Sequence, residues 1–147
     1  MAKQRYVRFP INREEKPMDN EELDHLGSLY EAIGQELIRI VGNGSKKIFY
    51  YAEAGEGWVD QSIYEVNADS LDWFYASQEL TDLLFEAWAA DEPSKRWSTM
   101  EYELEGTRFT TRFRFPDEVN VEETSMARRD EVLRRRFGNK PENYPPL

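Results

Sequence analysis

Residues 99–115 constrain the fold of this chain more tightly than any other stretch. Met100, Tyr102 and Leu104 alternate with Thr99, Glu101 and Glu103. Beyond Glu105-Gly106, Phe109, Thr111, Phe113 and Phe115 alternate with Arg108, Thr110, Arg112 and Arg114. A period of two marks a strand with one buried face, and two such runs around a glycine-bearing turn predict a β-hairpin. A two-residue loop at Glu105-Gly106 sets Tyr102 opposite Phe109 on the apolar face and Glu103 opposite Arg108 on the other. Both faces then favour a single register.

Other elements follow from the same kind of pattern. Asp19 or Asn20 can cap a helix whose first turn holds Glu21 and Glu22, where the helix dipole favours acids. Leu23, Leu26, Tyr30, Ile33, Leu37 and Ile40 then recur every three or four residues, one apolar stripe that Gly42-Asn43-Gly44 ends. Residues 47–54 (KIFYYAEA) read as a strand. Gly55-Glu56-Gly57 turns the chain into a second strand over Trp58–Val66. Asn67-Ala68-Asp69-Ser70 turns it again into a short third strand near Trp73-Phe74-Tyr75, which completes an antiparallel meander.

Ser77 opens a second helix, with Leu80, Leu83, Leu84, Ala87 and Trp88 on one side and Glu79, Asp82 and Glu86 on another. It stops before Pro93. After the hairpin, Pro116 closes the strand and residues 122–137 form a third helix, with Met126, Leu133 and Phe137 inward and Gly138 as C-cap. The order α-β-β-β-α-β-β-α predicts an α+β domain: a single antiparallel sheet, meander plus hairpin, covered by helices. At 147 residues there is room for one such domain. It spans 19–147, with an extended, proline-rich tail from Asn139. Residues 1–18 form a basic arm, in which Tyr6, Val7, Phe9 and Ile11 can add a short strand that Pro10 confines to an edge.

Charge narrows the function. The chain carries a net −10, and residues 17–92 hold 17 acidic side chains against Arg39, Lys46 and Lys47, a local balance of −14. Such a field repels phosphate backbones, so direct nucleic-acid binding is disfavoured. It steers a basic protein partner instead, unless its whole purpose is solubility. There is no cysteine, which removes thiol nucleophiles and thiolate metal sites and suits a reducing, cytoplasmic setting. No apolar stretch approaches the roughly 20 residues of a membrane span, and the start lacks the apolar core of a signal peptide.

The inventory for catalysis is thin. His25 is the lone histidine and lies on the first helix, where a surface role is the ordinary one, so a serine triad is disfavoured and the common multi-histidine zinc sites are excluded. Asn67-Ala68-Asp69-Ser70-Leu71-Asp72 imitates the start of a calcium loop, but Leu71 takes a ligand position and the glycine is missing. Gly42-Asn43-Gly44-Ser45 lacks the lysine and the preceding strand of a phosphate loop. Arg134, Arg135 and Arg136 fall at a helix C-terminus, where cations stabilise by roughly 0.3–1 kcal/mol, and so need no phosphate ligand. No catalytic residue, metal or cofactor is therefore expected. A carboxylate-dependent hydrolase stays possible only on the strength of abundant acids.

What remains is binding surface. Trp58, Tyr64, Trp73 and Tyr75 lie among Glu56, Asp60, Glu65, Asp69 and Asp72, a mixture that gives desolvated anchors and electrostatic steering. Any one of these aromatics can equally be core, but strand alternation turns some of them outward. The candidate contact residues are Glu53, Glu56, Trp58, Asp60, Asp69, Asp72 and Trp73.

Five further pieces carry a family likeness. Leu29-Tyr30-Glu31-Ala32-Ile33-Gly34-Gln35, then Ile48-Phe49-Tyr50-Tyr51-Ala52-Glu53 with Gly55-Glu56-Gly57, resembles the opening of YezG-like immunity proteins. The Leu83-Leu84-Phe85-Glu86-Ala87-Trp88 helix, the Trp97 strand and the Arg136-Phe137-Gly138 ending with Pro141 resemble their sequel. The likeness covers residues 26–146; the basic segment before Met18 is additional, and the region after Trp58 matches only in pattern. It implies an antitoxin of bacterial polymorphic-toxin or contact-dependent inhibition systems. Such a protein binds a cognate toxin domain, commonly a nuclease, in the cytoplasm of the producing cell. The resemblance fixes no contact residues. The rival reading is a general adaptor or chaperone-like binding module.

Overall fold

The computed structural model describes Arg5–Val7 and residues 20–146, with side chains from His25 onward. Three helices and one sheet follow in the order β1 (Arg5–Val7), α1 (Asn20–Val41), β2 (Lys47–Gly55), β3 (Trp58–Val66), β4 (Leu71–Phe74), α2 (Gln78–Ala89), β5 (Thr99–Glu105), β6 (Arg108–Arg114), α3 (Ser125–Phe137) and β7 (Glu142–Asn143). The spatial order is β1-β6-β5-β2-β3-β4-β7. The meander and the hairpin are thus joined through the antiparallel pair β2–β5.

The α+β class and the α-β-β-β-α-β-β-α core order are as expected, with two short strands added at the edges. β1 pairs with β6, whereas Phe9, Pro10 and Ile11 of the arm, and the cap at Asp19, lie outside the described residues. The tail is not merely extended. Its Glu142 and Asn143 pair in parallel with Leu71 and Asp72, the one parallel pairing in an otherwise antiparallel sheet.

The hairpin register differs from the expected one. Leu104 faces Phe109 and Glu105 faces Arg108, so the loop is Gly106-Thr107 and Tyr102 lies opposite Thr111. Gly106 has φ +62° and Thr107 has no positive φ. A tight turn that needs a left-handed first residue puts the glycine first, which moves the loop on by one. Both faces survive, because each cross-strand partner shifts by two residues. Tyr102 and Phe109 still stack, now diagonally, at 5.0 Å.

Alternation along β2 divides the core in two. Ile48, Tyr50, Ala52 and Ala54 join Ile63, Met100, Tyr102 and Leu104 under α1 and α2, against Leu26, Tyr30, Ile33, Leu37, Leu80 and Leu84. Phe49 and Tyr51 join Tyr64 and Leu71 on the opposite face, under Val132 and Leu133 of α3. Helices therefore cover both sides of the sheet.

Polar atoms buried on the α1/α2 side find fixed partners. The Tyr102 hydroxyl donates to the Tyr30 carbonyl at 2.8 Å, and the Trp88 indole donates to the Trp97 carbonyl at 2.7 Å. Ser77 caps α2, its Oγ accepting from the Leu80 amide at 3.0 Å while donating to buried Glu36 of α1. The Arg39 guanidinium beside Glu36 holds that carboxyl below its usual range, against burial that raises it.

α3 begins later than expected, at Ser125 with Thr124 as its cap, and Met126 is 62% exposed rather than inward. Val132 and Leu133 pack on the sheet, whereas Met126, seven residues before Leu133 on the same helical face, sits in the first turn and stays exposed. No described helix is long and apolar enough to cross a membrane.

Candidate functional site

The seven candidate residues separate into two groups at opposite ends of β3. Glu53, Glu56, Trp58 and Asp60 surround the β2–β3 turn, where Gly55 pairs with Trp58 and Glu53 with Asp60. Asp69, Asp72 and Trp73 sit at and beyond the β3–β4 turn, where Trp73 pairs with Tyr64. Six residues of strand separate Trp58 from Tyr64, a span of about 20 Å. The candidates thus form two patches.

At the first patch Trp58 is 50% exposed. Its indole lies across the backbone of Gly55, where a Cβ would come within 2.4 Å of the ring nitrogen. Only glycine admits that approach, so the ring is laid down on the strand end while its outer face stays wet. Asp60, also exposed, accepts a hydrogen bond from the Ser125 hydroxyl at 2.7 Å, which places the start of α3 beside it. Glu56 is nearly free in the turn, with Arg96 just 4.0 Å away, a surface pair of little energetic weight.

Glu53 belongs elsewhere. Its carboxylate is 2% exposed and receives both arms of the Arg128 guanidinium, at 2.9 and 2.8 Å, and the Tyr51 hydroxyl at 2.6 Å. Strand alternation turns it under α3, so it is an internal ion pair and not part of an exposed face. The same guanidinium donates to the carbonyls of Asn120 and Glu123, tying the loop before α3 to the sheet. That loop and the first turn of α3 present Val121 and Met126, both strongly exposed, which hydropathy alone assigns to the interior.

At the second patch, Trp73 is half-buried while Tyr75 and Tyr144 are 58% and 56% exposed. Trp73 meets Tyr75 edge-on, ring centres 4.5 Å apart, and Tyr144 at 5.8 Å. Together with Asp72, Phe74, Asn143 and Pro145 they line a groove of about 380 Å³. Asp72 accepts from Asn67, Ser70 and Asn143, all neutral donors. Glu142 accepts from the hydroxyls of Tyr64 and Tyr144. Asp69 is exposed in the adjoining turn. Tyr64, weighed as a surface aromatic, is fully buried, and burial pushes its phenol well up. Sequence reasoning had no reason to bring Tyr144 here, because the parallel docking of β7 cannot be read from a proline-rich tail.

The arginine run has a different role from the one its position implies. Arg135 and Arg136 reach from α3 to Glu101, itself 1% exposed, at 2.8 and 2.6 Å, and Arg136 also bonds Glu103 at 2.9 Å. The Arg136 guanidinium lies 4.9 Å over the Phe49 ring. These are bonds to the sheet rather than compensation of a helix dipole. Burial, then Arg135, Arg136 and Arg114, pulls the Arg112 guanidinium down to about 10.

No family model matches the chain, and no curated protein matches it. Among the described residues no three His, Asp or Glu side chains converge to hold a metal ion. His25 is exposed on α1. Acids dominate the outer surface of α2, where Glu79, Asp82 and Glu86 are exposed around Phe85.

Proposed function

We propose that this protein is an immunity protein: a stoichiometric inhibitor that works in the cytoplasm by occupying a basic surface of a cognate toxin domain, and that catalyses nothing itself. The reading rests on the likeness of residues 26–146 to YezG-like sequences and on one structural observation. Large aromatic side chains stand half or more exposed directly beside carboxylates that no strong ion pair consumes: Trp58 with Glu56 and Asp60, and Tyr75 and Tyr144 with Asp72 and Glu142. Exposed aromatics give an interface its desolvated anchors, and the acids attract a basic nuclease surface and compete there with phosphate.

Binding of the purified chain to the toxic domain encoded beside its gene tests the proposal. Glu56→Lys with Asp60→Lys is expected to slow association at low salt by roughly tenfold or more, with an unchanged circular dichroism spectrum. Glu53 is left intact, since its loss would strand Arg128. Wild-type affinity in the double variant would clear the first patch of any part in binding. A chain that protects no cell from a neighbouring toxin, or that binds unrelated proteins equally, would be an adaptor instead.

A further inference from the structure

We infer that the groove formed by Trp73, Tyr75 and Tyr144 is a seat for a cationic side chain, a guanidinium or ammonium group presented by a basic protein partner. Two observations on different groups point the same way. The first is the arrangement of rings. Trp73 and Tyr75 meet at 80° and Trp73 and Tyr144 at 47°, so π-faces and ring edges wall the groove from different directions. A cation over such faces is attracted by the ring quadrupoles, and tryptophan is the strongest of the three ring types.

The second is the state of the nearby acids. Under α3, Glu53, Glu101 and Glu103 each hold an arginine within 3 Å. Asp72 and Glu142, one lining the groove and the other bonded to Tyr144, are held by amide and hydroxyl donors alone. Neutral donors fix a carboxylate in place without neutralising it. Asp72 therefore faces three aromatic rings with no cation bonded to it, the combination that recognises a cation and repels an anion, and Glu142 adds to it while sharing the field of Arg129. Lys140 is spent nearby on the Asn67 carbonyl at 2.8 Å, and Arg129, within reach of Asp130 and Ser62, also lies in the field of Glu142 and Tyr144 without bonding either.

That the cation comes from a toxin domain rests on the proposed function; that the groove takes a cation does not, and the test separates them. The full chain is titrated with ethylguanidinium and, in parallel, with ethylurea, its neutral near-isostere, while ring signals of Trp73, Tyr75 and Tyr144 are followed by NMR. Saturable shifts are expected with ethylguanidinium only. Trp73→Leu should weaken binding by roughly two- to fivefold, and Glu142→Gln, which keeps the shape and the hydroxyl partners, should weaken it as well. Equal response to ethylurea would reduce the groove to an apolar notch, and no response to either would remove the site. Should Trp73→Leu fail to fold, Tyr75→Leu, at an exposed strand-end position, carries the same expectation. Ethylguanidinium binding in a chain that neutralises no toxin would sustain the groove and sink the immunity reading.

Discussion

The two faces of the sheet are built from the same strands by opposite means. Under α1 and α2, every inward side chain of β2 is apolar or a tyrosine, and the face closes by packing. Under α3, Phe49 and Tyr51 share the surface with Glu53, Glu101 and Glu103, and the helix is fastened by Arg128, Arg135 and Arg136. Packing is tolerant, since neighbours of similar volume can replace one another. A buried carboxylate is not, because its desolvation is offset only while its partner stays in place. The α3 side therefore holds its helix in one position and loses most when one member of a pair is lost.

High pH is expected to have the largest effect, since it strikes both faces together. Burial raises the phenols of Tyr50 and Tyr102 on the α1/α2 side and of Tyr51 and Tyr64 on the α3 side above their ordinary value of 10.0. An unfolded chain releases those protons near pH 10 while the folded one keeps them. The unfolded state then binds fewer protons, and stability falls as pH rises beyond that point. Phenolate absorbance and far-ultraviolet circular dichroism should therefore change together in an alkaline titration. If all the tyrosines ionised while the fold persisted, the burial argument would fail on both sides.

Arg128→Met singles out the α3 face. It leaves Glu53 buried with only a tyrosine hydroxyl, at a cost of about 3–5 kcal/mol in urea denaturation. Adding Glu53→Met should recover most of that loss, because two methionines ask for no desolvation. A double variant as unstable as the single one would show that Arg128 matters through the 120–123 loop carbonyls rather than through Glu53.

Much of this contrast can be read from the chain, and the unreadable part has a physical cause. Periods of two and of three to four place the strands and helices, Gly55 marks a strand end where a Cβ would strike Trp58, and Ser77 and Pro93 mark where a helix begins and where it must have stopped. Period two also predicts that Glu101 and Glu103 share a face opposite Tyr102. It cannot tell whether water or a helix covers that face, so Glu53 reads as a contact residue although it lies beneath Arg128. Trp58, Trp73 and Tyr64 have the same composition around them, yet one is half exposed, one half-buried and one fully buried. Cross-strand neighbours and the docked β7 decide that, and they are distant in sequence. The separation of Glu56 from Trp73 has a simpler reason: eighteen residues of chain, Glu56 to Trp73, run the length of one strand and turn back at its far end.

The smallest effects grade the arginine run, which the sequence presents as three equal residues. Arg136 is largely buried, bonds two carboxylates and covers Phe49, so Arg136→Ala should cost about 2 kcal/mol. Arg135 is one-third exposed and shares Glu101 with Arg136, which keeps that carboxylate paired, so its removal should cost about 1 kcal/mol at most. Arg134 is exposed, and Arg134→Ala should stay within about 0.5 kcal/mol. Under a helix-dipole account the three would act alike and weaken together with added salt. Denaturation of the three variants at low and high salt separates the accounts: a graded series with Arg136 little affected by salt locates the stabilisation in Glu101, and a flat one returns it to the helix end.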